Sequence, residues 1–171
     1  LKKKLKGDAE KNFVNQSDQK LLNDVTEYLV DSTKFNLPDT FLKKWMQTAG
    51  ENKLTTEEAK AEYEKSEKGL RYQLIESKII EKNEIKIDAD QIKNFSKELI
   101  KTQMLQYGQA NPPEKELESI SQRILSNKDE VKRISDQLLS QKLITLFKSE
   151  LKFKVNKVSY EKFIEMAYSK N

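Results

Sequence analysis

The chain contains no cysteine and no histidine. Disulfide staples, thiolate nucleophiles, imidazole acid–base catalysis and the usual zinc ligand sets are therefore excluded for these residues. Glycine and proline are scarce, four and three among 171 residues. So few turn-forming positions argue against a β-sandwich or barrel and for long helices. Arginine is confined to Arg71, Arg123 and Arg133, so lysine supplies almost all of the positive charge. Readers of phosphates and base edges use the planar arginine fork, whereas lysine interspersed with glutamate marks a solvated helix face. Nucleic acid is accordingly not an expected partner. Its only footholds are Lys2-Lys3-Lys4-Leu5-Lys6 and the basic stretch at residues 148–157. No apolar run approaches the ~20 residues of a membrane span, and no signal peptide is visible, so no membrane partner is expected. Lack of cysteine fits a reducing cytoplasm, the expected location, and is compatible with a periplasm. The first residue is leucine rather than methionine, which reads as a fragment of a longer protein.

What is present is charge and helical periodicity. Charged residues make up 35% and hydrophobic residues 36%, with a net charge of +4. That apolar share is low for a compact globule, yet it recurs at helical spacing, as expected for many helices sharing a thin core. A first helix is predicted over about residues 8–35, with Leu21, Leu22, Val25, Tyr28 and Leu29 on one face. It should stop before Pro38, which opens a short helix over residues 38–49 ended by Gly50. Thr55 with Glu58 fits a capping box for a long helix reaching about Asn83, with Tyr63, Leu70, Leu74 and Ile79 near one side. Ile85-Lys86-Ile87 reads as an extended connector. Asp88 with Gln91 caps the next helix, and Gly108 ends it before Asn111-Pro112-Pro113. Helices over residues 114–126 and from Asn127 or Asp129 to Leu151 follow. Residues 152–155 alternate polar and apolar side chains and read as extended, and Ser159 caps a last helix carrying Phe163, Ile164 and Ala167. The fold class is all-α, an elongated multi-helix module of helical hairpins, treated as one domain over residues 1–171.

Catalysis would need convergent polar groups of suitable pKa. Glu57-Glu58 instead occupies a first helical turn, where carboxylates favour the macrodipole. No nucleophile elbow, phosphate loop or dinucleotide fingerprint occurs. An enzyme is not expected, nor is a cofactor or a metal.

The order of these signals resembles the C-terminal domain of bacterial trigger factor, in the form found in Bacteroides-like bacteria. Leu37-Pro38-Asp39-Thr40-Phe41-Leu42-Lys43-Lys44-Trp45 looks like the family's opening of the second helix. Residues 70–90, LRYQLIESKIIEKNEIKIDAD, match its long helix and the short step into the next. Met104-Leu105-Gln106-Tyr107-Gly108 and residues 142–163, with the Val155-Asn156-Lys157-Val158-Ser159 turn, match the ends of the pattern. The resemblance runs from about Asp8 over nearly all of the chain. The family's ribosome-docking loop, of the type G-F-R-x-G-x-x-P, does not occur, and there is no room for its prolyl isomerase domain.

The resemblance implies an ATP-independent holdase chaperone that binds unfolded or nascent polypeptides. Any ribosome contact would run through a domain absent here, and a homodimer is possible. Apolar side chains that suit the task are Phe41, Leu42, Trp45 and Met46 in one cluster and Met104, Leu105 and Tyr107 in another. Tyr63, Tyr72 and Tyr168 rank below them. For each residue the competing role is ordinary core packing, above all for Trp45, the sole tryptophan. Competing functions are the peptide-binding helical domain of a periplasmic isomerase-type chaperone, and a structural or dimerisation module.

Overall fold

The computed structural model of the chain describes residues 2–50, 53–109 and 111–168. The side chains of Lys2-Lys3-Lys4-Leu5-Lys6 and of Tyr168 lie outside the described residues. Among the described residues the chain forms seven helices and no strand: α1 (Lys2–Ser32), α2 (Asp39–Ala49), α3 (Thr56–Lys82), α4 (Ala89–Gln106), α5 (Glu114–Leu125), α6 (Lys128–Glu150) and α7 (Tyr160–Tyr168). They group into two compact units. One comprises Leu21–Ile85, the other Leu1–Lys20 with Lys86–Asn171.

In the Leu21–Ile85 unit, α1 ends at Ser32, three residues earlier than the proline rule predicts. Thr33 N–H makes the last backbone bond, to Leu29 O at 3.0 Å, and local side chains bond to carbonyls of the final turns. Ser32 Oγ donates to Tyr28 O at 2.6 Å, and Lys34 Nζ donates to Asp31 O at 2.9 Å, so the helix closes without reaching Pro38. Pro38 flanks α2 instead of opening it, and its carbonyl accepts the Leu42 N–H at 2.9 Å. Gly50 ends α2 as expected, but in an extended conformation (φ −86°, ψ 168°) that needs no left-handed backbone. The Thr55–Glu58 capping box starts α3: Glu58 N–H donates to the Thr55 hydroxyl at 3.2 Å, and Thr55 N–H donates to the Glu58 carboxylate at 2.8 Å. That backbone donor, with the Thr55 hydroxyl, lowers the Glu58 pKa. α2 packs on α3, and Leu22, Leu37, Ala59, Tyr63 and Ile75 are the buried residues.

Two residues of this unit that the sequence groups on apolar helix faces are exposed. Tyr28 is 71% exposed, because at 3.6 residues per turn it sits about 120° round the helix from buried Leu22. Leu74 is also exposed, since its neighbour Ile75, about 100° away, takes the inward position.

In the other unit, α4, α5 and α6 pack on one another around Ile100, Leu117, Ile134, Leu143 and Phe147. The Asp88–Gln91 capping box starts α4. Gly108, at φ +88°, closes it: Gly108 N–H donates to Leu105 O and Gln109 N–H to Met104 O, the paired bonds of a Schellman turn. Asn127 Oδ1 accepts the N–H groups of Asp129 and Glu130 at the start of α6. Residues 151–159 carry no regular structure, and the Ser159 hydroxyl accepts the Lys162 N–H at 3.3 Å to start α7. Within this unit Asp18 pairs with Lys148 at 2.5 Å, and the rings of Phe13 and Tyr160 lie 5.4 Å apart.

Candidate functional site

α2 is an amphipathic helix with no buried residue. Its half-buried side chains are Leu42, Lys43, Met46 and Gln47, a row set by the i, i+4 geometry of the helix. This row faces α3. Lys43 Nζ lies 4.7 Å from the Tyr63 ring centre, and Gln47 Nε2 donates to Thr56 Oγ1 at 3.1 Å. The adjacent row, Phe41 and Trp45, is left open, at 64% and 54% exposure. The four-residue cluster expected from the sequence thus divides: Leu42 and Met46 support the helix, while Phe41 and Trp45 present aromatic surface. Trp45 is not a core anchor: the α2 row that packs on α3 is the neighbouring one, and Trp45 stays exposed among the described residues.

The second predicted cluster lies at the end of α4. Met104 is half-buried, Leu105 is exposed, and Tyr107 reaches 84% exposure at the helix cap. The Schellman turn holds Tyr107 outside the helix proper, so its ring stands clear of the α4–α5 contact. Among the lower-ranked tyrosines, Tyr63 is 2% exposed and has no free surface, and Tyr72 is half-buried. Burial, ahead of its other influences, raises the Tyr72 pKa.

Sequence reasoning missed further apolar surface. Tyr28, expected on the apolar face of the first helix with Leu22, is exposed. Phe13, Val14, Leu151, Phe153, Val155 and Val158 are exposed as well. The alternation at residues 152–155, read only as extended structure, was the signal for the last of these.

Polar side chains in the α4–α6 unit are matched to one another. Lys93 pairs with Glu118 at 2.5 Å, Lys97 pairs with Glu114 at 2.7 Å and also with Glu118, and the buried Ser96 and Ser121 hydroxyls bond each other. An open groove of about 530 Å³ beside them is lined by Phe95, Lys101, Leu138 and Lys142, among others. Lys142 Nζ donates to Lys86 O at 3.0 Å. Among the described residues, no group of three or more acidic side chains is placed to hold a metal, and no helix is long and apolar enough to cross a membrane.

Residues 17–167 match a family model described as "Probable trigger factor, C-terminal domain". The chain belongs to this family. Neither a curated protein nor a solved structure matches it. The all-α fold agrees with a trigger factor C-terminal module, and membership supports a chaperone-like, non-enzymatic role.

Proposed function

We propose that the chain is an ATP-independent holdase of the cytoplasm that binds unfolded or nascent polypeptide through exposed apolar side chains. The observation that carries this reading is the open Phe41–Trp45 row on a helix whose other face is already docked. Covering about 200 Å² of aromatic surface gives roughly 5 kcal/mol of gross stabilisation. Association entropy offsets much of that, so a single patch holds weakly and lets go without an energy source. Tight holding then requires more than one patch, and Tyr28 lies in the same unit; the other unit carries a patch of its own in Leu105 and Tyr107. Met46 and Met104, half-buried at the patch margins, can repack against varied client shapes.

The test is light scattering of several unrelated refolding clients at stoichiometric ratios. The wild-type chain is expected to suppress aggregation. A Phe41→Ser/Trp45→Ser variant is expected to lose most of that suppression while keeping its stability within about 0.5 kcal/mol. Unchanged scattering with excess wild-type chain overturns the reading. Sedimentation at several concentrations, with and without an unfolded peptide, separates client binding from self-pairing of the same surface.

A further inference from the structure

Residues 151–159 run between α6 and α7 with neither turn nor bend, and every one of them is exposed. Leu151 N–H still closes α6 on Phe147 O, and Ser159 O accepts Phe163 N–H to open α7. Between those points, among the described residues, no backbone–backbone hydrogen bond involves residues 152–158. The segment therefore offers the same row of free donors and acceptors as the edge of a sheet.

Its side chains add two further properties. Leu151, Phe153 and Val155 alternate with Lys152 and Lys154. The chain leaves α6 extended at Leu151, φ −94° and ψ 137°, and on extended backbone successive side chains point to opposite sides. All three apolar residues are exposed, Val155 to 78%. Lys152, Lys154 and Lys157 form no ion pair among the described residues, whereas Lys148 within α6 is paired with Asp18.

We infer that residues 151–155 bind an extended polypeptide segment by strand addition, and that the preferred segment alternates acidic with apolar residues. The inference rests on the polypeptide-holding reading for its natural ligand, and it adds a binding mode and a sequence preference. Backbone pairing supplies affinity that is blind to client sequence, while the apolar row and the lysine row select the pattern. A second copy of the chain is the weaker occupant, because pairing this segment with itself opposes lysine to lysine. An anionic lipid surface would satisfy the ammonium groups and the apolar side chains. It offers no ordered partners for the backbone row.

The experiment uses the whole chain and three synthetic probes. These are a capped peptide alternating valine and glutamate, its twin with N-methyl groups along one pairing edge, and its twin with lysine in place of glutamate. Binding is read by fluorescence anisotropy, and backbone pairing by amide hydrogen exchange at residues 152–158. The glutamate peptide is expected to bind and to slow exchange across that segment. N-methylation is expected to weaken binding by about tenfold or more, since it removes the paired donors, and the lysine peptide is expected not to bind. Val155→Pro deletes one donor in a segment outside every helix. It should reproduce the tenfold loss with helix content unchanged by circular dichroism. Equal binding of the N-methylated peptide, indifference to Val155→Pro, or protection of residues 152–158 by phosphatidylserine–phosphatidylcholine vesicles in place of the peptide each overturns strand addition. The client-scattering assay separates the two readings. Suppression of aggregation without peptide binding defeats strand addition alone, while peptide binding without suppression defeats the holdase role alone.

Discussion

The hydroxyl of Tyr63 donates to Asp39 Oδ1 across 2.5 Å, joining the N-terminal third of α3 to the first turn of α2. One turn further along α2, Lys43 lies over the same ring. A single buried side chain therefore fixes two successive turns of the helix that carries Phe41 and Trp45. Burial, reinforced by the hydrogen bond and charge of Asp39, pushes the Tyr63 hydroxyl up from 10.0 to about 12. Its neutral form is favoured by folding, so the stability it contributes is complete below 10.0 and is lost as pH rises towards 12. Tyr63→Phe is expected to cost about 1 kcal/mol in denaturant unfolding at neutral pH. It should also remove the late tyrosinate step from the ultraviolet alkaline titration. A titration unchanged in the variant would refute the assignment.

Glu118 accepts from Lys93 first and Lys97 second, and these contacts lower its pKa from 4.5 to about 2. A carboxylate depressed in the folded state contributes fully above 4.5, and that contribution disappears as pH falls towards 2. Glu118→Gln is expected to destabilise the α4–α5 contact near neutral pH and to match the wild type at the acid end of that window. Thermal unfolding followed across the window checks this, and added salt should shrink the difference because the cluster is partly exposed.

Glu84 has φ +51°. It fills the position that Gly108 fills after α4, with Glu84 N–H donating to Glu81 O and Ile85 N–H to Ile80 O. A side chain in this left-handed conformation costs about 1 kcal/mol that glycine avoids. Glu84→Gly is thus expected to raise stability by about that amount, measured as an increased denaturant midpoint with an unchanged slope.

Trp45 is the sole tryptophan, so intrinsic emission reports on one face of α2. The free chain is expected to emit as a solvated indole, readily quenched by iodide. Saturation with an unfolded client is expected to shift emission to the blue and to protect it from quenching. Emission that stays solvated under saturating client would remove Trp45 from the contact.

Helix ends were the most legible part of the sequence because their chemistry is local. Thr55 with Glu58, Asp88 with Gln91, Gly108 and Ser159 each act within a few residues, and each starts or stops a helix where expected. Facing was less legible, since it depends on how many partners a helix finds. Trp45 and Met46 are adjacent in sequence, and only the packing of α2 on one helix decides that Met46 turns inward and Trp45 outward. Ser96 and Ser121 were invisible for the opposite reason. Serine composition favours the surface, but these two hydroxyls satisfy each other inside the α4–α5 contact. The membership reading was carried by the order of weak motifs along the chain, and the family match over residues 17–167 agrees with it.

Most helix contacts in the structure join neighbours along the chain: α2 with α3, α4 with α5, and α5 with α6. Little loop entropy must be surrendered before such contacts form, and helical topologies of this kind fold in about microseconds to milliseconds. The contacts of the start of α1 with the end of the chain, Asp18 with Lys148 and Phe13 with Tyr160, close a far longer loop, so the local helix pairs are expected to form first. On the holdase reading proposed above, that speed matters, because a slowly folding copy would itself compete with clients for the surfaces of its finished neighbours.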